Sequence, residues 1–124
     1  MKISITVGHV SLDAELNQSP TARKVAAALP LKTEFSTWGE EIYFPVPVQA
    51  ELDDTSRETV ELGDLGYWPT GSAFCIFFGQ TPMSTPDRIV PAGPVNIIGH
   101  VHGDVSGLKE VMQEKEISVE PLGS

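Results

Sequence analysis

Short alternations of apolar and polar residues run through most of the chain and predict a protein built mainly from β-strands. Residues 2–16 hold two such alternations, separated by Gly8 and His9, so the chain is expected to open with a β-hairpin. The same pattern predicts strands at residues 95–101 and 117–122. From Leu31 onwards, Gly and Pro interrupt the strand-like stretches at short intervals, which is typical of all-β barrels and sandwiches.

Two helical segments interrupt this pattern. Ser19 offers a capping oxygen and Pro20 has a φ already fixed at a helical value, so a helix is predicted to continue to about Leu29 and to end before Pro30. Apolar residues recur at helical spacing in residues 105–112, which predicts a second short helix. Short helices near the ends of a strand-rich chain favour a closed barrel whose openings they cover.

Two segments are apolar at nearly every position and are expected to lie in the core. Residues 41–48 and 72–78 carry β-branched or aromatic side chains on both faces, as strands that are covered twice do. The polar residues 51–58 are expected to form a surface loop that leads into a strand at 59–62. Residues 79–94 contain four prolines, and a connection of this length is often functional.

Composition and charge exclude several classes of partner. A chain of 124 residues is the usual size of one domain, so residues 1–124 are expected to form a single domain. Seventeen acidic against eight basic residues give a net charge of −9, which argues against nucleic-acid and membrane partners. No apolar stretch has the form of a signal peptide or a membrane span, so a cytoplasmic location is expected. The single cysteine, Cys75, is expected to be a core residue.

Four sequence motifs resemble motifs of small bacterial and archaeal cyclophilin-like proteins. They are Thr-Trp-Gly-Glu-Glu-Ile-Tyr-Phe at residues 37–44, Gly-Tyr-Trp-Pro-x-Gly at 66–71, Phe-Phe-Gly-x-Thr-Pro-Met-Ser at 77–84 and Val-Asn-x-Ile-Gly at 95–99. Residues 70–76 also resemble a core segment of the cyclophilins themselves. The resemblance covers nearly the whole chain and implies a closed, eight-stranded, cyclophilin-like barrel, mainly β, with two short helices capping its ends.

The resemblance also shows which catalytic groups of cyclophilins are missing. Cyclophilins catalyse peptidyl-prolyl cis-trans isomerisation with an arginine that favours the twisted amide. That arginine would fall at Thr37, a neighbouring glutamine at Pro45 and a pocket histidine at Val95. Arg88, in the proline-rich connection, is the one plausible substitute. Weak isomerase activity, or none, is therefore expected.

An aromatic-rich group of residues is the candidate ligand site. Trp and Tyr offer large contact areas with a polar tip, although aromatic residues also fill barrel cores. Glu40 and Glu41 are adjacent on a strand and must face opposite sides. If one of them faces inward beside the rings, desolvation would raise its pKa, and it could anchor a cation or move a proton; otherwise both are solvated. The predicted ligand-binding residues are Trp38, Glu41, Tyr43, Phe44, Tyr67, Trp68, Phe78, Met83 and Arg88.

No other constellation predicts a specific chemistry. His100 and His102 share a strand face and could bind a metal together, but no third ligand is visible, so neither a metal nor a cofactor is predicted. A phosphate-binding loop and a nucleophile elbow are both absent from the sequence.

Three functions are compatible with these features. The leading hypothesis is a cyclophilin-like protein that binds a small ligand or an extended, proline-containing peptide. The second is a divergent prolyl isomerase. The third is a subunit of an amide-hydrolysing metabolic complex, which would require a protein partner or a homo-oligomer.

Overall fold

The computed structural model describes residues 1–122, in which ten β-strands and one α-helix form. The sequence predicts no strand or helix at Gly123 and Ser124, and both lie outside the described residues. The strands are β1 Lys2–Val7, β2 Val10–Leu16, β3 Leu31–Glu34, β4 Ser36–Thr37, β5 Glu41–Pro45, β6 Ser56–Arg57, β7 Asp64–Trp68, β8 Ala73–Phe77, β9 Val95–Val101 and β10 Glu116–Pro121. The helix α1 is Pro20–Ala28, and 3₁₀ turns form at Pro69–Gly71 and Ser106–Glu110.

All strands join one antiparallel sheet, which confirms the predicted mainly β class. The order is β3-β10-β1-β2-β9-β7-β8-β5-β4, and β6 pairs with β9 beside this path. The opening hairpin is also confirmed, because β1 and β2 pair in register from Lys2 opposite Glu15 to Val7 opposite Val10.

The predicted closed, eight-stranded barrel is wrong. The sheet has ten strands and ends at β3 and β4, and no ladder joins these two strands in the described part of the chain. They are consecutive pieces of one extended segment, separated only by Phe35, and therefore cannot pair with each other. The first piece pairs with β10 and the second with β5.

Only one of the two predicted helices is an α-helix. α1 begins where predicted, with the Ser19 hydroxyl accepting a hydrogen bond from the Ala22 amide at 3.2 Å. The second predicted short helix also forms, but it is a 3₁₀ helix, Ser106–Glu110. Gly107 disfavours an α-helix here by about 1 kcal/mol relative to alanine.

The segment before β7 also differs from its prediction. Residues 59–62 form no strand; Val60 makes only an isolated bridge, donating its amide to the Ile89 carbonyl at 3.0 Å. The predicted surface loop at 51–58 contains β6. It is anchored to β9, where the Asn96 side chain accepts a hydrogen bond from the Asp53 amide at 2.8 Å.

The centre of the sheet is buried on both faces, as predicted for residues 72–78. All five residues of β8 are buried. One face packs into the main core, which contains Phe44, Phe74 and Ile76. The other face carries a smaller cluster, with buried members Val60, Ala73, Cys75, Phe77 and Val95 and partly buried members Tyr43, Trp68, Ile89 and Ile97. Ile89 comes from the proline-rich segment 79–94, which therefore packs against this second face.

Candidate ligand site: an aromatic cavity

A cavity of about 250 Å³ lies on the side of the smaller cluster, and we call it the aromatic cavity. The rings of Trp38, Tyr43 and Trp68 form part of its wall, and all three are half-buried. The remaining lining residues are one carboxylic acid, one thiol and three apolar residues: Glu41, Cys75, Pro91, Ala92 and Val95.

Strand alternation brings these side chains to one face. Glu41 and Tyr43 are two residues apart on β5 and therefore point to the same side, while Cys75 on β8 lies directly opposite Tyr43. On β7, Trp68 pairs with Ala73 of β8. β5, β7 and β8 thus position four lining residues directly: Glu41, Tyr43, Trp68 and Cys75.

A tight turn between β4 and β5 adds Trp38. The Trp38 amide donates to the Glu41 carbonyl at 2.9 Å, and the Glu41 amide donates back to the Trp38 carbonyl at 3.2 Å. Gly39 inside this turn has a φ of +59°, and a Cβ there would lie 2.7 Å from the Gln80 carbonyl oxygen. Only glycine fits this position, so the turn docks closely against the proline-rich segment.

Two glycines lie against the indole of Trp68. A Cβ added to Gly71 would be 3.0 Å from Trp68 Cε3, and one added to Gly93 would be 3.2 Å from Trp68 Nε1. The indole is therefore closely packed against the main chain at both glycines.

The carboxyl group of Glu41 is the unusual polar group of the cavity. The residue is only 6% exposed, and its Oε1 has no hydrogen-bond partner within residues 1–122. Burial raises the pKa of Glu41 to about 7, and a hydrogen bond from the Cys75 thiol opposes this rise. Glu40 faces the other way and forms an ion pair with Lys109, with 3.5 Å between Oε2 and Nζ. The prediction that the two acids face opposite sides is confirmed.

Cys75 is buried, as predicted, and it also lines the cavity. Burial and the neighbouring Glu41 raise the pKa of the thiol well above its ordinary value. Its single proton can point either to the Glu41 carboxyl or to the Ala73 carbonyl oxygen, 3.8 Å from Sγ. Cys75 is therefore a neutral thiol at physiological pH and not an activated nucleophile.

Three of the predicted ligand-binding residues belong to the main core instead. Phe44 stacks on Phe74 with 5.0 Å between ring centroids, and the Tyr67 hydroxyl donates to the Val48 carbonyl at 2.6 Å. Phe78 is also buried in this core. Alternation explains the difference, because Phe44 follows Tyr43, and Tyr67 precedes Trp68, on the same strand.

Met83 and Arg88 also lie outside the lining of the aromatic cavity. Met83 is 55% exposed. Arg88 lines a separate shallow depression with Pro86 and Asp87. Of the positions where cyclophilins carry their polar catalytic groups, Thr37 is exposed on β4 and only Val95 contributes to the cavity.

His100 and His102 each lie close to one carboxylate. His100 Nδ1 lies 3.0 Å from Asp64 Oδ1, and His102 Nε2 lies 3.3 Å from Glu15 Oε1. No group of three potential metal ligands is present in the part of the chain that the structure describes.

Sequence reasoning missed four lining residues: Cys75, Pro91, Ala92 and Val95. For Cys75 a signal was available, since alternation from the buried Phe74 and Ile76 places it on the opposite face of β8. No local pattern marked Pro91 and Ala92, because their position depends on how the proline-rich segment folds back.

Comparison with known proteins agrees with this architecture. The sequence profile of the family described as cyclophilin-like matches residues 1–120. The chain belongs to the cyclophilin-like family. This membership confirms the resemblance seen in the sequence motifs, and it covers both the strands and the proline-rich segment that form the aromatic cavity.

Two solved structures of the cyclophilin-like fold are similar to the chain. One is the solution structure of the hypothetical protein AF2241 from Archaeoglobus fulgidus, which is 41% identical, with a TM-score of 0.82 over 98% of this chain and 95% of that one. The other is McbB in complex with tryptophan, which is 14% identical, with a TM-score of 0.72 over 98% of this chain and 45% of that one. At this identity the likeness to McbB shows the fold alone.

Two further findings concern curated relatives and membrane-spanning helices. The search of curated proteins gave no match to this cyclophilin-like chain. Within the described residues, no helix has the length and apolar character needed to cross a membrane.

Proposed function

We propose that this cyclophilin-like protein binds a small, largely apolar molecule in the aromatic cavity. The observation that carries the proposal is the carboxyl group of Glu41, which lines the cavity and has a buried oxygen without a partner. A buried polar atom left unpaired costs about 1–3 kcal/mol. A ligand that donates a hydrogen bond to this oxygen would recover that cost.

The dimensions favour a small molecule over an extended peptide. Pockets for drug-sized ligands are typically about 300–1,000 Å³, and the aromatic cavity, at about 250 Å³, falls just below this range. Its walls are mostly rings and aliphatic side chains with one acid, the usual balance of a ligand site. McbB, which shares the fold, was solved with tryptophan, so indole is a reasonable first probe.

The two tryptophans make binding directly measurable. The sequence contains only Trp38 and Trp68, and both line the cavity, so the two indole N–H signals of the ¹⁵N-labelled protein report on this site alone. Titration with unlabelled indole is expected to shift both signals in a saturable manner. Absence of a saturable shift with indole, with tryptophan and with the other indole derivatives described below would contradict the proposal.

A matched pair of variants tests the location of the site. Ala92 is exposed at the edge of the cavity, and Ala92→Phe is expected to block it and to abolish the indole-induced shifts. Ala27 is exposed on α1, and Ala27→Phe adds the same bulk away from the cavity. The Ala27 variant should bind indole like the unmodified protein.

A further inference from the structure

We propose that the natural ligand of the aromatic cavity is an organic cation, a protonated or substituted amine, whose charge lies beside the Glu41 carboxylate and the aromatic rings. This inference rests on the proposed function and specifies the class of ligand.

The lining of the cavity contains an acidic side chain and no basic one. Glu41 is an acid, and no lysine, arginine or histidine is among the lining residues. Lys109 pairs with Glu40, which does not line the cavity. A bound anion would therefore meet a carboxylate with no compensating charge, whereas a bound cation would supply the missing partner.

The rings that surround the acid favour the same class of ligand. Trp38, Tyr43 and Trp68 each present a π-system that attracts cations, and tryptophan is the strongest of the aromatic residues in this respect. The other walls are apolar and Glu41 is buried, so the attraction between a cation and this carboxylate is stronger than between two groups at the protein surface. Cages of aromatic rings are a common way to recognise quaternary ammonium groups.

Protonation of Glu41 is expected to be linked to binding of a cation. Burial holds the pKa of this carboxyl at about 7 in the free protein, and a cation binds the ionised form. The other titratable groups that face it are Tyr43 on β5 and Cys75 on β8. β7, β9 and the proline-rich segment contribute only Trp68, Val95, Pro91 and Ala92 to the lining. Affinity for a cation should therefore rise with pH around neutrality.

Three probes that share an indole ring and differ in charge test the proposal. Tryptamine is a cation, tryptophol is neutral and indole-3-propionate is an anion at pH 8. The two indole N–H signals of the labelled protein follow the binding of each unlabelled probe. At pH 8 we expect tryptamine to bind at least about tenfold more tightly than tryptophol, and indole-3-propionate to bind most weakly.

The pH dependence provides a second readout. Tryptamine keeps its charge between pH 6 and pH 8, because its amine titrates near the range of lysine. If only ionised Glu41 binds the cation, a pKa of about 7 implies an increase in tryptamine affinity of up to about tenfold over this interval. Tryptophol affinity should not rise in the same interval.

Adjacent acids provide a matched pair of variants. Glu41→Gln keeps the shape of the side chain but removes its charge, and should lower tryptamine affinity at least about tenfold while leaving tryptophol affinity within about threefold. Glu40→Gln removes a charge on the opposite face and should leave the preference for tryptamine unchanged.

The outcomes separate the two proposals. Equal binding of tryptamine and tryptophol at pH 8, or a preference for tryptamine that survives in Glu41→Gln, overturns the cation assignment and leaves ligand binding intact. Failure of every probe, indole included, to shift the two signals overturns both.

Discussion

Glu41 and Glu40 are neighbours in the chain with opposite surroundings. Glu40 lies near the surface beside Lys109, while Glu41 is buried among rings and a thiol. Glu41 is the first residue of β5 and lies on the side of the cavity, whereas Glu40 belongs to the turn before this strand. Sequence alone could establish that the two acids face opposite sides, but it could not establish which one faces inward.

The pH dependence of stability should reveal the buried acid. The pKa of Glu41 is raised from 4.5 to about 7 by burial. Between these values the unfolded chain releases the proton while the folded protein keeps it, so the free energy of unfolding falls as pH rises. The loss is complete about one pH unit above 7 and amounts to at most about 3–4 kcal/mol, which solvent screening at the open side of the cavity reduces.

Comparison with Glu41→Gln isolates this effect from other acids. Asp53 and Asp104 have lowered pKa values because of hydrogen bonds from Thr55 and Ser106, and they act in the opposite direction in both proteins. Urea unfolding at pH 4 and at pH 8 is therefore expected to show Glu41→Gln gaining stability relative to the unmodified protein as pH rises. A constant difference at both pH values would contradict the buried, unpaired state of Glu41.

At the scale of elements, one side chain joins three parts of the fold. Asn96 on β9 is completely buried; its amide nitrogen donates to Thr21 Oγ1 of α1 at 3.0 Å and to the Glu51 carbonyl at 2.9 Å. Its oxygen accepts from the Asp53 amide at 2.8 Å. The helix and the 51–58 loop are thus fixed to the strand that carries Val95.

Removal of this junction should be costly. Asn96→Ala removes three hydrogen bonds from a fully buried site and leaves a cavity there, so a loss of about 3 kcal/mol in the free energy of unfolding is expected. Asn17 is exposed, and its amide donates to the Ile97 carbonyl at 2.8 Å, so Asn17→Ala is a matched control expected to cost less than about 1 kcal/mol. Equal losses in chemical denaturation would contradict a special role for Asn96.

Elements with strong local signals were predictable from the sequence, and those set by distant contacts were not. The hairpin of β1 and β2 and the helix after Ser19 depend on alternation and on a cap, which are local. The break at Phe35 and the pairing of β6 depend on partners far along the chain. Asn96 shows the same limit, because its position in an apolar strand does not reveal which groups it binds.

At the scale of the whole molecule, the two faces of the sheet differ. One packs into the main core, and the other carries the smaller cluster and the aromatic cavity. Alternation places Tyr67 and Trp68 on different faces of the sheet, and the same rule separates Tyr43 from Phe44. Which face holds the cavity depends on the proline-rich segment, which covers the smaller cluster through Ile89 and supplies Pro91 and Ala92. That long-range docking carries no sequence signal beyond the length of the segment and its prolines.

The same arrangement predicts that the protein does not accelerate prolyl isomerisation. The barrier of about 18–20 kcal/mol is lowered in cyclophilins by an arginine, whereas here no arginine lines the aromatic cavity and Arg88 lies in a separate depression. A proline-containing test peptide should therefore isomerise at its uncatalysed rate with the protein present, while an active cyclophilin assayed in parallel accelerates it. Acceleration by this protein that disappears in Arg88→Ala would show that the depression around Arg88 is catalytic and that the fold retains the isomerase activity.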